Sequence, residues 1–229
     1  MVEKNIVEEK HLSILQKRWL KFKTLKRGYY ALVTLTFLYG ISFLLPILIN
    51  NRALIVSYED DICFPSLKGY IPGETFGQNV PGEAKYRELR KSFIQDDTGN
   101  WVLMPPYPYS PFEDITTEGN KMYESPSRKH WLGTDNTGRD VFARLCYAFN
   151  ISISFALILT IINYFFGIFI GGSMGYFGGK FDLFFQRLIE IWASLPMLFV
   201  IIIISSIIKP AFFLLIAIYT LVNWIGMTY

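Results

Sequence analysis

The sequence contains only two cysteines and two histidines in 229 residues. Such scarcity excludes a zinc site of ordinary ligand spacing and a framework of several disulfides. Cys63 and Cys146 could form one disulfide, but their spacing does not require it, and we expect two free thiols. GGSMG at residues 171–175 has the letters of G-x-S-x-G, but it lies in an uncharged predicted span and not in the strand-to-helix turn that a nucleophilic serine needs. We therefore expect no catalytic residue, no metal and no bound cofactor, so the protein is not predicted to be an enzyme.

Two glycine-rich or acidic stretches imitate nucleotide and calcium loops but lack their essential residues. In GGSMGYFGGKF, Met174 stands where a phosphate loop needs its first glycine, and Phe181 stands where it needs serine or threonine. In TDNTGRD, Arg139 occupies a position that a calcium loop gives to a ligand, and the distal glutamate is missing. These departures exclude ATP binding and calcium binding of those kinds.

Charge is absent from several long stretches of the chain. Hydrophobic residues make up 52% of the sequence and aromatic residues 17%, which is too apolar for an ordinary soluble domain. A spanning helix needs roughly 20 mostly apolar residues. We therefore predict an all-α polytopic membrane protein with four spans, at residues 29–49, 151–176, 188–208 and 211–229.

Positive charge is concentrated before the first span. Residues 1–28 hold eight lysines and arginines against three glutamates. The positive-inside rule then predicts a cytoplasmic amino end and places residues 50–150 outside, in the periplasm. Cations and apolar residues also alternate in this lead as in an amphipathic helix lying on an anionic leaflet. An anchor that only sets orientation is the simpler interpretation.

The outer segment is rich in proline, glycine and tyrosine between residues 52 and 129. Turn residues at this density favour short strands and loops rather than helices. We predict a small, irregular, β-containing insertion outside the membrane.

The later spans carry three features with two interpretations each. Gly167, Gly171 and Gly175 repeat every fourth residue, so another helix can approach closely, either inside one subunit or around a shared path. Glu190 opens the third span and would either line an aqueous path or be an ordinary solvated carboxylate. Pro196 should kink that span or start its deeper part.

A polar stretch, HWLGTDNTGRDVFARL at residues 130–145, stands directly before the second span. Asp135 and Asn136 favour an Asx-type turn, and Gly138 permits positive φ. A helix is predicted to begin near Arg139, which would place Asp140 and Arg144 four residues apart on it as an ion pair.

These residues resemble a known family. LGTDNTGRDVFARL, then GYFGGKFD, then QRLIEIWASLP are similar to the C-type permease subunits of bacterial dipeptide and oligopeptide ABC importers, and RWLKFKTLKRG is similar to their basic lead. CFPSLKGY, NWVLMPPYPYSPF and SPSRKHWLGTD resemble the Yej-type members, which are linked to uptake of peptides and microcin C. The similarity extends over essentially the whole chain.

The resemblance implies the fold of a type I ABC importer permease in the bacterial inner membrane, forming half of an alternating-access path. It implies a second permease subunit, two ATP-binding subunits that hydrolyse ATP, and a periplasmic peptide-binding protein as partners, with membrane lipid around the spans and no nucleic acid. The family signature matches Gly133, Thr134, Asp135, Gly138, Arg139 and Asp140, to which we assign a role in shaping the periplasmic mouth.

One departure from the family bears on activity. The family continues after its fourth span into an ATPase-coupling loop and two more spans, which do not follow Tyr229 in this sequence. We expect that a chain ending there does not transport by itself. Two alternatives remain open: a membrane-anchored binding or scaffold protein, and a truncated or split permease without transport activity.

Overall fold

The structure, a computed structural model, describes residues 13–59, 61–96, 99–113, 115, 123–209 and 211–228. The chain divides into two compact units, Met1–Asn150 and Ile151–Tyr229. Residues 1–12 of the predicted basic lead, with His11, lie outside the described residues.

From Ser13 onward, the described part of the first unit contains the helices α1, Ile14–Thr24; α2, Lys26–Ser42; and α3, Leu45–Leu48. The predicted first span, residues 29–49, is thus not a single helix, because α2 ends at Ser42 and a turn precedes α3. Pro46 lies in the first turn of α3, where a missing N–H costs nothing. Because proline favours the first turn of a helix, Pro46 was the local indication in the sequence that a new helix begins here.

Three short antiparallel strands form the sheet of the insertion: β1, Ile55–Tyr58; β2, Asp61–Cys63; and β3, Trp101–Leu103, in the order β2-β1-β3. Val56 on β1 lies opposite Cys63 on β2 and Val102 on β3. A short helix α4, Pro65–Lys68, and a 3₁₀ turn, Gly73–Phe76, follow β2. The buried core of this insertion consists of Ala53, Val56, Ile71, Phe76, Ala84, Tyr86, Leu89, Phe93, Val102 and Met104.

An eleven-residue helix, α5 at Tyr86–Asp96, corrects the prediction that the insertion lacks helices. Tyr86, Leu89 and Phe93 are its buried residues, and their spacing places them on one helical face. The prolines and glycines on both sides of the helix indicated turns and obscured this periodicity. Both cysteines, Cys63 and Cys146, are free thiols, as expected.

The longest helix, α6, runs for 37 residues from Val141 to Phe177. It begins ten residues before the predicted second span and ends one residue after it. Gly178 and Gly179 follow it with φ values of 56° and 54°, a conformation that side chains with a Cβ rarely adopt.

The second unit contains the later part of α6 with α7, Gly179–Ala193; α8, Met197–Ile207; α9, Phe212–Asn223; and a 3₁₀ turn, Trp224–Met227. The predicted third span is bent by 71° between Ala193 and Leu198, with Pro196 preceding α8 as the sequence predicted. Met174, Ile189 and Ile225 form the buried core of this unit.

Among the described residues, one helix, Val141–Phe177, is long and apolar enough to cross a membrane. The bent pair formed by α7 and α8 gives a second if it counts as one span. The helices α2 and α9 are shorter, with 17 and 12 residues. The predicted helical character is therefore confirmed, while the number of four spans is not.

Candidate functional site

The residues of the family signature form a tight turn immediately before α6. We call residues 133–140 the collar loop. The Asp135 Oδ1 accepts hydrogen bonds from the backbone N–H of Thr137 at 2.9 Å, from the Thr137 hydroxyl at 2.7 Å and from the backbone N–H of Arg139 at 2.9 Å. Gly138 has a φ of 77°. The predicted Asx turn is present, and its geometry uses the glycine as predicted.

Arg144 pairs with Asp135, not with Asp140. The prediction of an ion pair between Asp140 and Arg144 is therefore wrong. Asp140 directly precedes the first helical residue, and its carboxylate caps the helix. The turn of the collar loop brings Asp135 close to the Arg144 guanidinium instead. The hydrogen bond from the Arg139 backbone is the main cause that lowers the pKa of Asp135 to about 2, assisted by Thr137 and Arg144.

Asp140 is the fully buried centre of the site, with 0% of its surface exposed. Its Oδ1 accepts from the backbone N–H of Ala143 at 2.8 Å, which is the N-cap bond of α6. Its Oδ2 accepts from the Tyr107 hydroxyl at 2.7 Å and is 2.8 Å from His130 Nδ1. Hydrogen bonds to both oxygens are what permit a carboxylate at this depth.

Aromatic rings enclose this buried group. His130 is 3% exposed, and its ring centroid lies 4.4 Å from that of Tyr109. Tyr107 packs edge-on against Trp131 and Phe142, with centroid distances of 5.1 Å in both cases. Burial raises the pKa of Tyr107 well above its ordinary value, and the bond to Asp140 adds to this effect. The phenol is therefore a fixed donor to Asp140.

Gly133 and Thr134 attach the segment at residues 123–125 to the collar loop. The Thr134 hydroxyl accepts from the Glu124 backbone N–H at 2.7 Å, and the Thr134 backbone N–H donates to the Glu124 carbonyl at 3.0 Å. Gly133 has a φ of 74°, and a Cβ there would lie 2.5 Å from that same carbonyl oxygen. The position thus requires glycine both for its conformation and for space.

Sequence reasoning assigned no role to two residues of this cluster, Tyr107 and His130. Tyr107 is 33 residues from Asp140 in sequence and reaches it only through the fold. His130 stands at the start of the polar stretch, but nothing local indicates that its ring is buried.

The helix-packing glycines have different surroundings from one another. Gly167 is buried, and a Cβ at Gly171 would lie 2.9 Å from the Thr228 carbonyl oxygen. Gly175 is exposed and has open space around it. Close approach of another segment is thus observed at Gly171.

Glu190 is an exposed carboxylate in the described structure. Its Oε2 lies 2.6 Å from the Arg187 guanidinium one turn earlier on α7. This contact agrees with a solvated surface carboxylate and gives no indication of an enclosed path. Within the part of the chain that the structure describes, no three histidine, cysteine, aspartate or glutamate side chains are grouped so as to hold a metal ion.

The sequence is similar to known transporter subunits over nearly its whole length. It is 38% identical over 213 residues to the inner membrane ABC transporter permease protein YejE of Escherichia coli, covering 93% of this chain and 62% of that protein. It is 34% identical over 240 residues to the peptidoglycan transport system permease protein YejE of Agrobacterium fabrum, covering 92% and 61%. The chain is a relative of the peptide ABC-transporter permeases. The resemblance stated from the signature residues is thereby confirmed, including the Yej type.

A third relative matches about half of the chain. The dipeptide transport system permease protein DppC of Bacillus subtilis is 37% identical over 120 residues, which is 52% of this chain and 37% of that protein. No protein-family model matches the chain. The chain spans 62% and 61% of the length of the two YejE relatives. These relatives are named as permeases, which are translocation subunits rather than enzymes.

The low pKa of Asp135 predicts a stability difference that depends on pH. A carboxyl whose folded pKa is about 2, below its ordinary value of 3.8, stabilises the fold while it is ionised. This stabilisation is fully present above about pH 5 and is lost as the pH falls toward about 2. We expect the denaturant midpoint for unfolding of this chain to exceed that of its Asp135→Asn variant at neutral pH. The difference between the two midpoints should shrink below about pH 4. A difference that stays constant between neutral pH and pH 3 would contradict this assignment.

Proposed function

We propose that this chain acts as a permease subunit of an ATP-driven importer that carries peptides across the bacterial inner membrane. The observation that carries the proposal is the similarity to the Escherichia coli permease over 93% of this chain, which includes the collar loop. The single long apolar helix that follows this loop supports a membrane location.

In this proposal the collar loop shapes the extracytoplasmic mouth of the path. Its support is mechanical: Asp140 caps α6, and hydrogen bonds from Tyr107 and His130 fix the cap in place. Residues 50–150 form the periplasmic segment and the amino end lies in the cytoplasm. The four predicted spans remain part of this proposal, with Gly167, Gly171 and Gly175 as a packing face and Glu190 at a membrane face.

The proposed partners follow from the same kinship. A second permease subunit completes the alternating-access path, two ATP-binding subunits drive it, and a periplasmic binding protein delivers the cargo. ATP hydrolysis belongs to those partners, because the sequence has no phosphate loop of its own.

Two related cargo classes fit the names of the relatives. The Bacillus subtilis relative is named for dipeptide transport, and the Agrobacterium fabrum relative is named for peptidoglycan transport. Both cargoes carry peptide bonds, so we propose short peptides first and peptidoglycan fragments with a peptide stem second. Microcin C-like compounds, which resemble modified peptides, belong to the first class.

Uptake by a deletion strain tests the proposal. We expect loss of labelled tripeptide or peptidoglycan-fragment uptake when the complete gene is deleted, and restoration by the complete gene but not by a variant carrying Asp135→Ala and Arg139→Ala. The double variant should leave ATP binding by the partner subunits unchanged. Full uptake of both cargoes in the deletion strain would favour a membrane-anchored scaffold instead.

A further inference from the structure

The amino-terminal helix α1 has an apolar side and a cationic side. Ser13 caps it with a reciprocal capping box to Gln16, so the helix begins at a defined residue. Helical spacing places Leu15, Trp19 and Phe22 on one side. The same spacing places Lys17 and Lys21 on the opposite side and Arg18 at the border between the two sides.

This apolar side is largely uncovered by protein. No residue of α1 is buried, and Leu15 and Trp19 are 77% and 48% exposed. Tyr29 at the start of α2 contacts part of it, with ring centroids 6.4 Å from Trp19 and 6.5 Å from Phe22. These ring contacts hold α1 against the beginning of the apolar helix α2.

The charge of residues 13–28 has one sign. Residues 13–28 contain six lysines and arginines and no acidic residue, and the first acid after them is Glu59. Within the described residues, none of these six cations forms a salt bridge; the Lys23 ammonium lies 5.8 Å from the Trp19 ring centroid. Their charge is therefore available to an external anion.

We propose that α1 is a binding surface for anionic phospholipid. Charge complementarity favours an anionic lipid surface as the binding partner. The cations are attracted to anions, and the exposed Leu15 and Trp19 are stabilised by an apolar phase at the same place. A bilayer containing phosphatidylglycerol offers both, with phosphates at the level of Lys17 and Lys21 and acyl chains below Leu15 and Trp19. Long cationic side chains beside aromatic rings are suited to this boundary, because their stems lie along apolar surface while their charges reach the headgroups. The proposal does not depend on transport.

Hydrogen exchange of the purified full chain in nanodiscs tests it. One set of discs contains phosphatidylcholine alone, and the other contains phosphatidylcholine mixed with phosphatidylglycerol. We expect the amides of residues 14–24 to exchange at least about tenfold more slowly in the anionic discs at low salt, since each cation near an anionic surface strengthens binding. High salt should remove most of the difference through screening.

Charge-matched variants separate lipid binding from a general charge effect. K17Q/R18Q/K21Q should lose the difference between the two discs, whereas K68Q/R90Q/K91Q, which removes three exposed cations elsewhere, should keep it. Equal exchange of the unmodified chain in both discs, or an equal loss in both variants, overturns the proposal. If the first variant does not accumulate, the lipid and salt dependence of the unmodified chain decides by itself.

Discussion

Replacing Asp140 with alanine is expected to destabilise the protein by about 3–5 kcal/mol, because two buried donors lose their acceptor at about 1–3 kcal/mol each and the helix loses its cap. The change deletes the N-cap of α6 and leaves the Tyr107 hydroxyl and His130 Nδ1 without their common acceptor. Both groups remain buried, so the loss exceeds that of an ordinary cap, which is about 1 kcal/mol. Chemical unfolding of the full chain in nanodiscs measures the effect.

Two further substitutions make this result interpretable. Asp140→Asn retains an oxygen for the Ala143 N–H but cannot accept at the second position, so we expect an intermediate loss. Asp96→Ala removes an exposed aspartate at the end of α5 and should change stability by no more than about 0.5 kcal/mol. An Asp140→Ala variant as stable as Asp96→Ala would show that the buried cluster does not hold the helix start.

Gly133→Ala is the second change with a large expected effect. The residue has a φ of 74°, and the added Cβ would lie 2.5 Å from the Glu124 carbonyl oxygen, which is backbone and cannot rotate away. The left-handed conformation alone costs about 1–2 kcal/mol for alanine, and the steric overlap adds to it. We expect the bonds between Thr134 and Glu124 to break, with faster hydrogen exchange at both amides.

Gly99 is the matched control for this substitution. It has the same φ of 74° but nothing within 4 Å of an added Cβ. Gly99→Ala therefore measures the conformational cost alone, and the difference between the two variants measures the steric cost. Equal unfolding free energies for both would mean that the loop shifts freely to accept the side chain.

The collar loop shows which parts of the site are readable from sequence. The Asx turn at Asp135 depends on residues within four positions, and local chemistry predicts it. Arg144 pairs with Asp135 because the turn brings Asp135 back toward the helix. The four-residue spacing between Asp140 and Arg144 therefore predicted the wrong partner. Tyr107 reaches Asp140 from a separate segment, and no local pattern contains that contact.

The helices give the same contrast. The glycine pair at 178 and 179 and Pro196 mark real breaks, because their backbone restrictions act locally. Composition placed the apolar segments but not all of their ends. The helix α6 starts ten residues earlier than its uncharged run suggested, and α2 ends seven residues before the first apolar run does. The helix α5 was missed because three buried residues among charged ones form a weak pattern.

The length of α6 means that the bilayer alone does not fix how deeply this helix is inserted. At 1.5 Å per residue its 37 residues extend about 55 Å, whereas the hydrocarbon core is about 30 Å thick. Hydrophobic matching therefore tolerates a range of vertical positions. At the start of α6, Tyr147 donates a hydrogen bond to the Ile49 carbonyl and Asn150 donates one to the Ser42 hydroxyl. These polar contacts precede the uncharged run of α6 and fix the start of the helix relative to residues 42–49.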